Sequence, residues 1–460
     1  MDSLLHETFE ALEAAAVTYS VLRGFEELET TAGHLEVDLL VAPDHLRRLA
    51  TSLAARNFVS LPGWGHAPHH FFVGYNRDTG FWLKLDVVTD LLYGKPLRVM
   101  RVDLAAICLR HRVRREPAYV LAPEHEFFTL FLHCLLDKAG FRAERAERLA
   151  ELHLQLCEEA PQAAQVAELL KRYAGSILSW QALSQAIASQ DWRALLHRRK
   201  KIAHRLFRRE IVKTTLRALS NRLLLRLRPL LFALRRRGVA VALLAPDGAG
   251  KSTLAKKLTQ ENYIRGKLVY MGTNIEASTI GLPTTRWLHR RLKAQRGKAL
   301  RPDRLLLKAC GFVNQLLEQW YRSAAAAWFL LRGRFVVFDR YFYDSWLTER
   351  AKTPWKRLRK WLFEAGCPKP DLVVLLDAPG EVLFRRKGEH SVEWLEKQRR
   401  AYHGLQEKLS NMIIVDATAG PEEVRREVIA LLWRRYGDRR AARVEISEGL
   451  SSVEMTLLEK

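Results

Sequence analysis

Seven residues near the middle of the chain carry its strongest chemical signal: Asp247-Gly248-Ala249-Gly250-Lys251-Ser252-Thr253. Glycines at 248 and 250 let a backbone turn tightly and aim its N–H groups inward, so the loop can cradle phosphate. Lys251 can reach β- and γ-phosphate oxygens, and the Ser252 hydroxyl can ligate Mg²⁺. The spacing is that of a Walker A loop, with Ala245 where the first glycine usually stands. A second constellation lies near the N-terminus. Glu36 and Asp38 sit two residues apart in Glu36-Val37-Asp38-Leu39. Alternation on a strand puts both on one face, about 7 Å apart along the backbone. Such a pair can grip one or two divalent ions. The histidines His66, His69 and His70 follow Trp64 with no fourth ligand at usable spacing, so they read as a surface loop rather than a zinc site.

The phosphate loop needs a strand before it and a helix after it. Val239–Leu244 is a run of six apolar residues, and Leu254-Ala255-Lys256-Lys257-Leu258 reads as a helix start. The helix opening near Lys251 adds its positive dipole end. From Gly238 a strand–helix rhythm continues, with strands expected at Lys267–Met271, Phe335–Asp339, Asp371–Asp377 and Met412–Asp416. The longest helix is expected from about Asp303 to Leu331, and Glu422–Tyr436 closes the series. This is the pattern of a doubly wound parallel sheet. The acidic pair sits in a different setting. Residues 3–16 read as a helix, and Tyr19–Arg23 and Val37–Val41 as strands. Pro43–Arg56 reads as a helix, then Phe71–Tyr75 and Phe81–Val88 as strands around the turn at 76–80. From Pro123 to about Tyr173 the pattern is helical, with Phe127, Leu130, Phe131, Cys134 and Leu135 on one face. Between Arg193 and Arg237, sixteen lysines and arginines face one acid, Glu210, with apolar residues interleaved. That segment reads as a basic amphipathic helical connector, interrupted at Pro229.

A chain of 460 residues implies two to four domains. The net charge of +24 favours anionic partners: nucleotides, nucleic acid, acidic glycan or anionic lipid. Five cysteines without a CxxC pair give no disulfide framework, which suits a reducing compartment. Met1–Ala16 is acidic and amphipathic, not a signal peptide, and no apolar run reaches the ~18 residues of a membrane span.

Residues 238–436 resemble the thymidylate kinase family of P-loop nucleoside monophosphate kinases. The resemblance rests on the loop Asp247–Thr253, on Asp339-Arg340-Tyr341 after a strand, on Pro370–Asp377, and on the lid-like Arg385-Arg386-Lys387-Gly388-Glu389 with Tyr402 downstream. It implies ATP and Mg²⁺ as cofactors. The loop Asp247, Gly248, Ala249, Gly250, Lys251, Ser252 and Thr253 would hold the donor. Ser252 and, through water, Asp339 would hold Mg²⁺. Arg340 would clamp an acceptor phosphate, Arg385, Arg386 and Lys387 would close over the transferring group, and Asp247 would help place the acceptor. Asp377 reads as a structural strand-end residue. The family's Arg-Glu-Pro-Gly element after the second strand is replaced by Tyr270-Met271-Gly272-Thr273-Asn274, followed by Gly281-Leu282-Pro283, so no base-reading arginine is assigned there. The variant resembles the thymidylate kinase-like proteins of bacterial surface-polysaccharide loci, whose lid is similarly RK-x-E.

Residues 17–110 resemble the minimal nucleotidyltransferase fold, through Val21-Leu22-Arg23-Gly24 and Glu36-Val37-Asp38-Leu39. The family's Gly-Ser is Gly24-Phe25 here. The resemblance implies a third carboxylate on a neighbouring strand, and Asp86 fits. The helices from Glu124 onward, with His133 and Asp137, resemble the helical half of uncharacterised bacterial nucleotidyltransferases.

The expected fold is therefore α/β and multidomain. A nucleotidyltransferase-like α+β domain spans 1–115, a helical bundle 116–190, the basic connector 191–237, a P-loop doubly wound domain 238–436 and a charged tail 437–460. The expected function is ATP·Mg²⁺-dependent phosphoryl transfer to a nucleotide or another phosphorylated acceptor, in the bacterial cytoplasm or peripherally at the inner membrane surface. The alternatives are nucleotidyl transfer to a protein or sugar, gated by the ATP-binding half, and a non-catalytic ATP-binding regulator of surface-polysaccharide synthesis.

Overall fold

Two large sheets of different kind organise the chain, and each lies in its own unit, Met1–Pro229 or Leu230–Lys460. The computed structural model describes residues 2–29, 33–61, 69–235, 238–264, 266–271, 281–282, 284–285, 287, 302–343, 354–367 and 369–458.

The strands of the first unit are β1 (Tyr19–Arg23), β2 (His34–Val41), β3 (Val59–Leu61), β4 (His69–Tyr75), β5 (Trp82–Val88), β6 (Leu91–Tyr93), β7 (Met100–Val102), β8 (Val113–Arg115) and β9 (Ala118–Val120). Seven of them form a mixed sheet in the order β3-β4-β5-β2-β1-β9-β8, and β6 and β7 pair separately. β2 shows the expected alternation: Leu35, Val37 and Leu39 are buried, whereas Glu36 is exposed and Asp38 half-buried. It runs antiparallel to β1 and parallel to β5. The buried face packs on α1 (Ser3–Ala14) and α2 (Leu46–Ala54) through Leu5, Phe9, Leu12, Leu49 and Leu53.

A short helix, α3 (Ala105–Arg110), precedes the helical part, which comprises α4 (Pro123–Leu132), a π-helical turn (His133–Lys138), α5 (Ala143–Glu158), α6 (Ala160–Tyr173), α7 (Trp180–Ala188), α8 (Trp192–Arg209) and α9 (Ile211–Arg235). Its core joins Leu22, Leu40 and Val88 from the sheet to Phe127, Phe131, Leu149, Leu170 and Leu183, and to Leu195, Ile202 and Leu206 of α8. As far as Leu225 the basic segment is thus built into this unit's core on one face, and α9 runs on past Pro229, where the second unit begins. The segment's break falls at Glu210, between α8 and α9, and not at Pro229, which α9 carries within its length. One proline removes one ladder bond, and the leucine-rich turns on either side sustain the helix.

The second unit holds β10 (Ala240–Leu244), β11 (Lys267–Tyr270), β12 (Val336–Asp339), β13 (Leu372–Asp377) and β14 (Met412–Asp416). All pair in parallel, in the order β11-β12-β10-β13-β14. The expected strands fall within a residue of these limits. The crossover helices include α10 (Lys251–Gln260), α11 (Pro302–Leu331), α12 (Pro354–Ala365), α13 (Gly380–Lys387) and α14 (Val392–His403); α15 (Pro421–Leu458) follows the last strand, so the segment expected as a charged tail continues a helix. β10 is buried along its whole length, as a central strand covered on both faces must be. Among the described residues, no helix is long and apolar enough to cross a membrane.

Candidate functional site

β10 ends at Leu244, and the chain turns through Ala245–Gly250 into α10, which starts at Lys251. Gly250 caps that helix at φ +81°. Gly248 has φ +94°, and a Cβ there would lie 2.7 Å from the Leu383 carbonyl oxygen of α13. Both the backbone conformation and the close approach require glycine. Lys251 is buried in the first turn of α10, where the N–H groups of a helix end collect negative charge.

The register of the sheet brings the next pair together. β10 and β12 run in parallel with Leu243 opposite Asp339, so the last residue of β12 lies beside the loop. Ser252 Oγ donates to Asp339 Oδ2 at 3.0 Å. Asp339 is buried, and its Oδ1 has no hydrogen-bond partner among the described residues. A buried carboxylate oxygen left open beside a serine hydroxyl fits a hydrated divalent cation. Arg340 follows at φ +61° and donates to Asp247 Oδ1 at 2.9 Å. A non-glycine residue in the left-handed region costs strain, held here by the strand before it and the loop it reaches.

The C-terminal region matches the thymidylate kinase family. The match to the family's model, "Thymidylate kinase", covers residues 246–428. A "Probable thymidylate kinase" of Pyrococcus horikoshii is 28% identical over 206 residues, which is 43% of this chain and 96% of that protein. One from Pyrococcus abyssi is 34% identical over 113 residues, 22% of this chain and 54% of its own length. The "Thymidylate kinase" of Xanthomonas oryzae pv. oryzae is 28% identical over 211 residues, 44% of this chain and 86% of its own.

In this thymidylate kinase-like region the lid-like cations part company. Arg385, Arg386 and Lys387 form the last turn of α13, which Gly388 ends at φ +68°. Arg386 donates to the Ala417 carbonyl at 2.8 Å, and Lys387 pairs with Glu389 at 2.7 Å. Arg385 is exposed. His390, which no motif in the sequence marks, lies 3.8 Å from Asp247 and packs its ring, tilted by 31°, against Trp394 with the ring centres 3.9 Å apart. Asp247 therefore meets Arg340 and His390 together. Asp377, at the end of β13, is closed: Arg399 donates to it at 2.7 and 2.8 Å, and His403 lies at 3.0 Å. The Arg399 hydrogen bonds hold its carboxyl below the usual carboxylate range. This agrees with a structural role.

The replaced acceptor element falls partly outside the described residues, at 272–280 and 283. The end of β11 is described, and a polar seam on α11 faces it. Arg322 donates to the Tyr270 carbonyl at 3.2 Å and pairs with Glu318, which accepts from Thr285. Gln319 reaches Cys367 Sγ at 3.3 Å and Met271 Sδ at 3.9 Å. Glu318, Gln319, Arg322 and Ser323 are all buried, while Leu317, Tyr321 and Trp328 are exposed. Tyr341 and Tyr343 are also buried nearby in sequence to Asp339, and burial pushes the Tyr343 phenol up to about 12. Sequence reading misses this seam. Its signal is the repeated i, i+4 spacing of Glu318/Arg322 and Gln319/Ser323 within an apolar helix.

In the other unit, the parallel register of β2 and β5 sets Asp38 opposite Asp86 and Glu36 opposite Lys84. One ligand atom from each of Glu36, Asp38 and Asp86 lies within 4.8 Å of the others. Each acid also holds a cation. Arg23 reaches Asp38 at 2.7 and 2.9 Å, Lys84 reaches Glu36 at 2.5 Å, and His69 Nδ1 reaches Asp86 at 2.7 Å. Arg98 bonds the same histidine. His69 and His70 lie on β4, not in a surface loop, because they pair with Val88 and Val87 of β5; His66 is outside the described residues. Burial opposes charge on Asp38, but the charge and hydrogen bond of Arg23 outweigh it and hold the carboxyl below its ordinary value. His133 is pushed down to about 4, by burial first and then by Arg23, against the pull of Asp137 at 3.0 Å. Asp137 also accepts from the Gly94 N–H at 2.7 Å. Burial, then the positive charges of Arg145, Lys95, Arg23 and Arg98, push Lys138 down, and Arg23 and Arg98 also act on Asp38.

Proposed function

We propose that residues 238–436 form an ATP-dependent phosphotransferase acting on a nucleotide or another phosphorylated acceptor. The observation that carries this reading is the Ser252–Asp339 hydrogen bond with Asp339 Oδ1 left open, set beside a buried Lys251 at a helix N-terminus. Phosphoryl transfer needs positioning and charge neutralisation more than covalent help. The loop amides and Lys251 hold the donor phosphates. Ser252 and Asp339 would hold Mg²⁺, which supplies charge neutralisation at the β- and γ-phosphates when bound. Arg340, kept in place by Asp247, presents its guanidinium to the acceptor side. Arg385 is the lid cation without a partner among the described residues, and it serves the transferring group; Arg386 braces α13 against Ala417. The buried Arg322–Glu318 pair and Gln319, which border the end of β11, are assigned to an acceptor wall. An acceptor screen with ATP labelled separately at the γ- and α-phosphates tests the reading. γ-label transfer supports it, and its absence across nucleotide and sugar-phosphate acceptors overturns it.

A second reading concerns residues 1–115. The convergence of Glu36, Asp38 and Asp86 beside a crowd of cations supports a nucleotidyltransferase site, with the acids for a divalent ion and the cations for phosphate. It requires α-label transfer that Glu36→Ala with Asp38→Ala abolishes.

A further inference from the structure

Helix α9 has two opposed faces. Thr214 and Asn221 are buried, and Ala218 and Leu225 pack against the core of the first unit. Arg217 ties the helix down through Glu210 at 3.2 Å and the Val99 carbonyl at 3.4 Å. On the far side Val212 is 68% exposed, Leu216 61%, Leu219 56%, Leu223 58% and Leu227 40%. At about 100° per residue these five fall within an arc of about 80°, a continuous stripe. Arg222 and Arg226 border one edge and Lys213 the other. All three are exposed, and none has an acidic partner among the described residues.

We propose that α9 docks this stripe on an anionic membrane surface, leucines in the acyl boundary and flanking cations among acidic headgroups. An isolated exposed leucine needs no explanation, but an ordered apolar row on a stable helix does. The flanking charge selects the occupant. Long cationic side chains beside an apolar stripe reach back to headgroups, which is the arrangement of helices that lie in a membrane interface. A second copy of α9 offers no complement, because between Arg193 and Arg237 sixteen cations face one acid and Glu210 is already paired. Nucleic acid would take the cations but leave the leucines in water.

The test uses the full chain and vesicle flotation, with phosphatidylcholine alone and with phosphatidylcholine–phosphatidylglycerol mixtures. Retention on the acidic vesicles only, released by salt, is expected. The Leu216→Ser, Leu219→Ser, Leu223→Ser variant should bind at least about tenfold more weakly, because each leucine buries apolar surface. The Lys213→Gln, Arg222→Gln, Arg226→Gln variant should also weaken binding. These positions are exposed, so circular dichroism should show unchanged folding. Retention that persists undiminished in the serine variant overturns the proposal, as does failure to bind acidic vesicles. Dimerisation that the serine variant abolishes, or equal retention of wild type and serine variant on RNA with none on vesicles, overturns it in favour of those occupants.

Discussion

The chain carries two groups of strand-borne acids, and they differ in what the acids already hold. At the phosphate loop, Asp339 binds Ser252 through one oxygen and keeps the other buried and open. On β2 and β5, Glu36, Asp38 and Asp86 are each engaged by Lys84, Arg23 and His69. An open buried carboxylate oxygen is what the proposed Mg²⁺ would need. An acid already paired must release its own cation first. The contrast recurs within the parallel sheet, where Asp377, one strand end away from Asp339 across β10, is closed by Arg399 and His403. Carboxylates at strand ends are therefore not equivalent, and their partners sort them.

Removing the loop charge should give the largest effect. Lys251→Ala is expected to lower γ-phosphate transfer at least ~10²-fold, the scale of losing a preorganised electrostatic donor. Steady-state rates on the folded variant check this, and near-wild-type turnover would put catalysis elsewhere.

The next test uses pH on the first unit alone. The folded state holds His133 near 4, below its ordinary 6.5, because burial disfavours the imidazolium. Stability from this group is complete above 6.5 and is lost as pH falls from 6.5 toward about 4, since the unfolded chain takes the proton first. His133→Gln should flatten the fall in urea midpoint over that window. An unchanged slope would show that His133 does not titrate with unfolding.

A smaller effect is expected at the paired acids. Lys84→Ala frees Glu36, so nucleotide-free Mn²⁺ affinity should rise about two- to fivefold, the scale of one partly exposed ion pair of up to about 1 kcal/mol. Isothermal titration measures it, and γ transfer should stay unchanged. Equal Mn²⁺ affinity in both proteins would mean that Lys84 does not compete with a metal.

The parts legible in the sequence share a physical cause. β10, β12, β13 and β14 are continuous apolar runs bounded by turns, and buried strands leave that trace. Glu36 and Asp38 stand out because burial alternates over the first six residues of β2, and the parallel register with β5 then brings in Asp86. The three-residue strands β3, β6, β7, β8 and β9 are too short for any period to show. The polar seam of α11 escapes because its polar face points inward and its aromatic face outward, the reverse of ordinary amphipathicity. The break at Glu210 escapes because proline is the stronger local signal, whereas packing of α8 and α9 on the first unit decides where the helix bends.

The most direct test follows the two labels of ATP in one reaction with a panel of phosphorylated acceptors. The γ label is expected to move to an acceptor, Lys251→Ala to stop it, and Glu36→Ala with Asp38→Ala to leave it intact. Movement of the α label alone, insensitive to Lys251→Ala and lost with Glu36 and Asp38, would contradict it and make the N-terminal site the chemical centre.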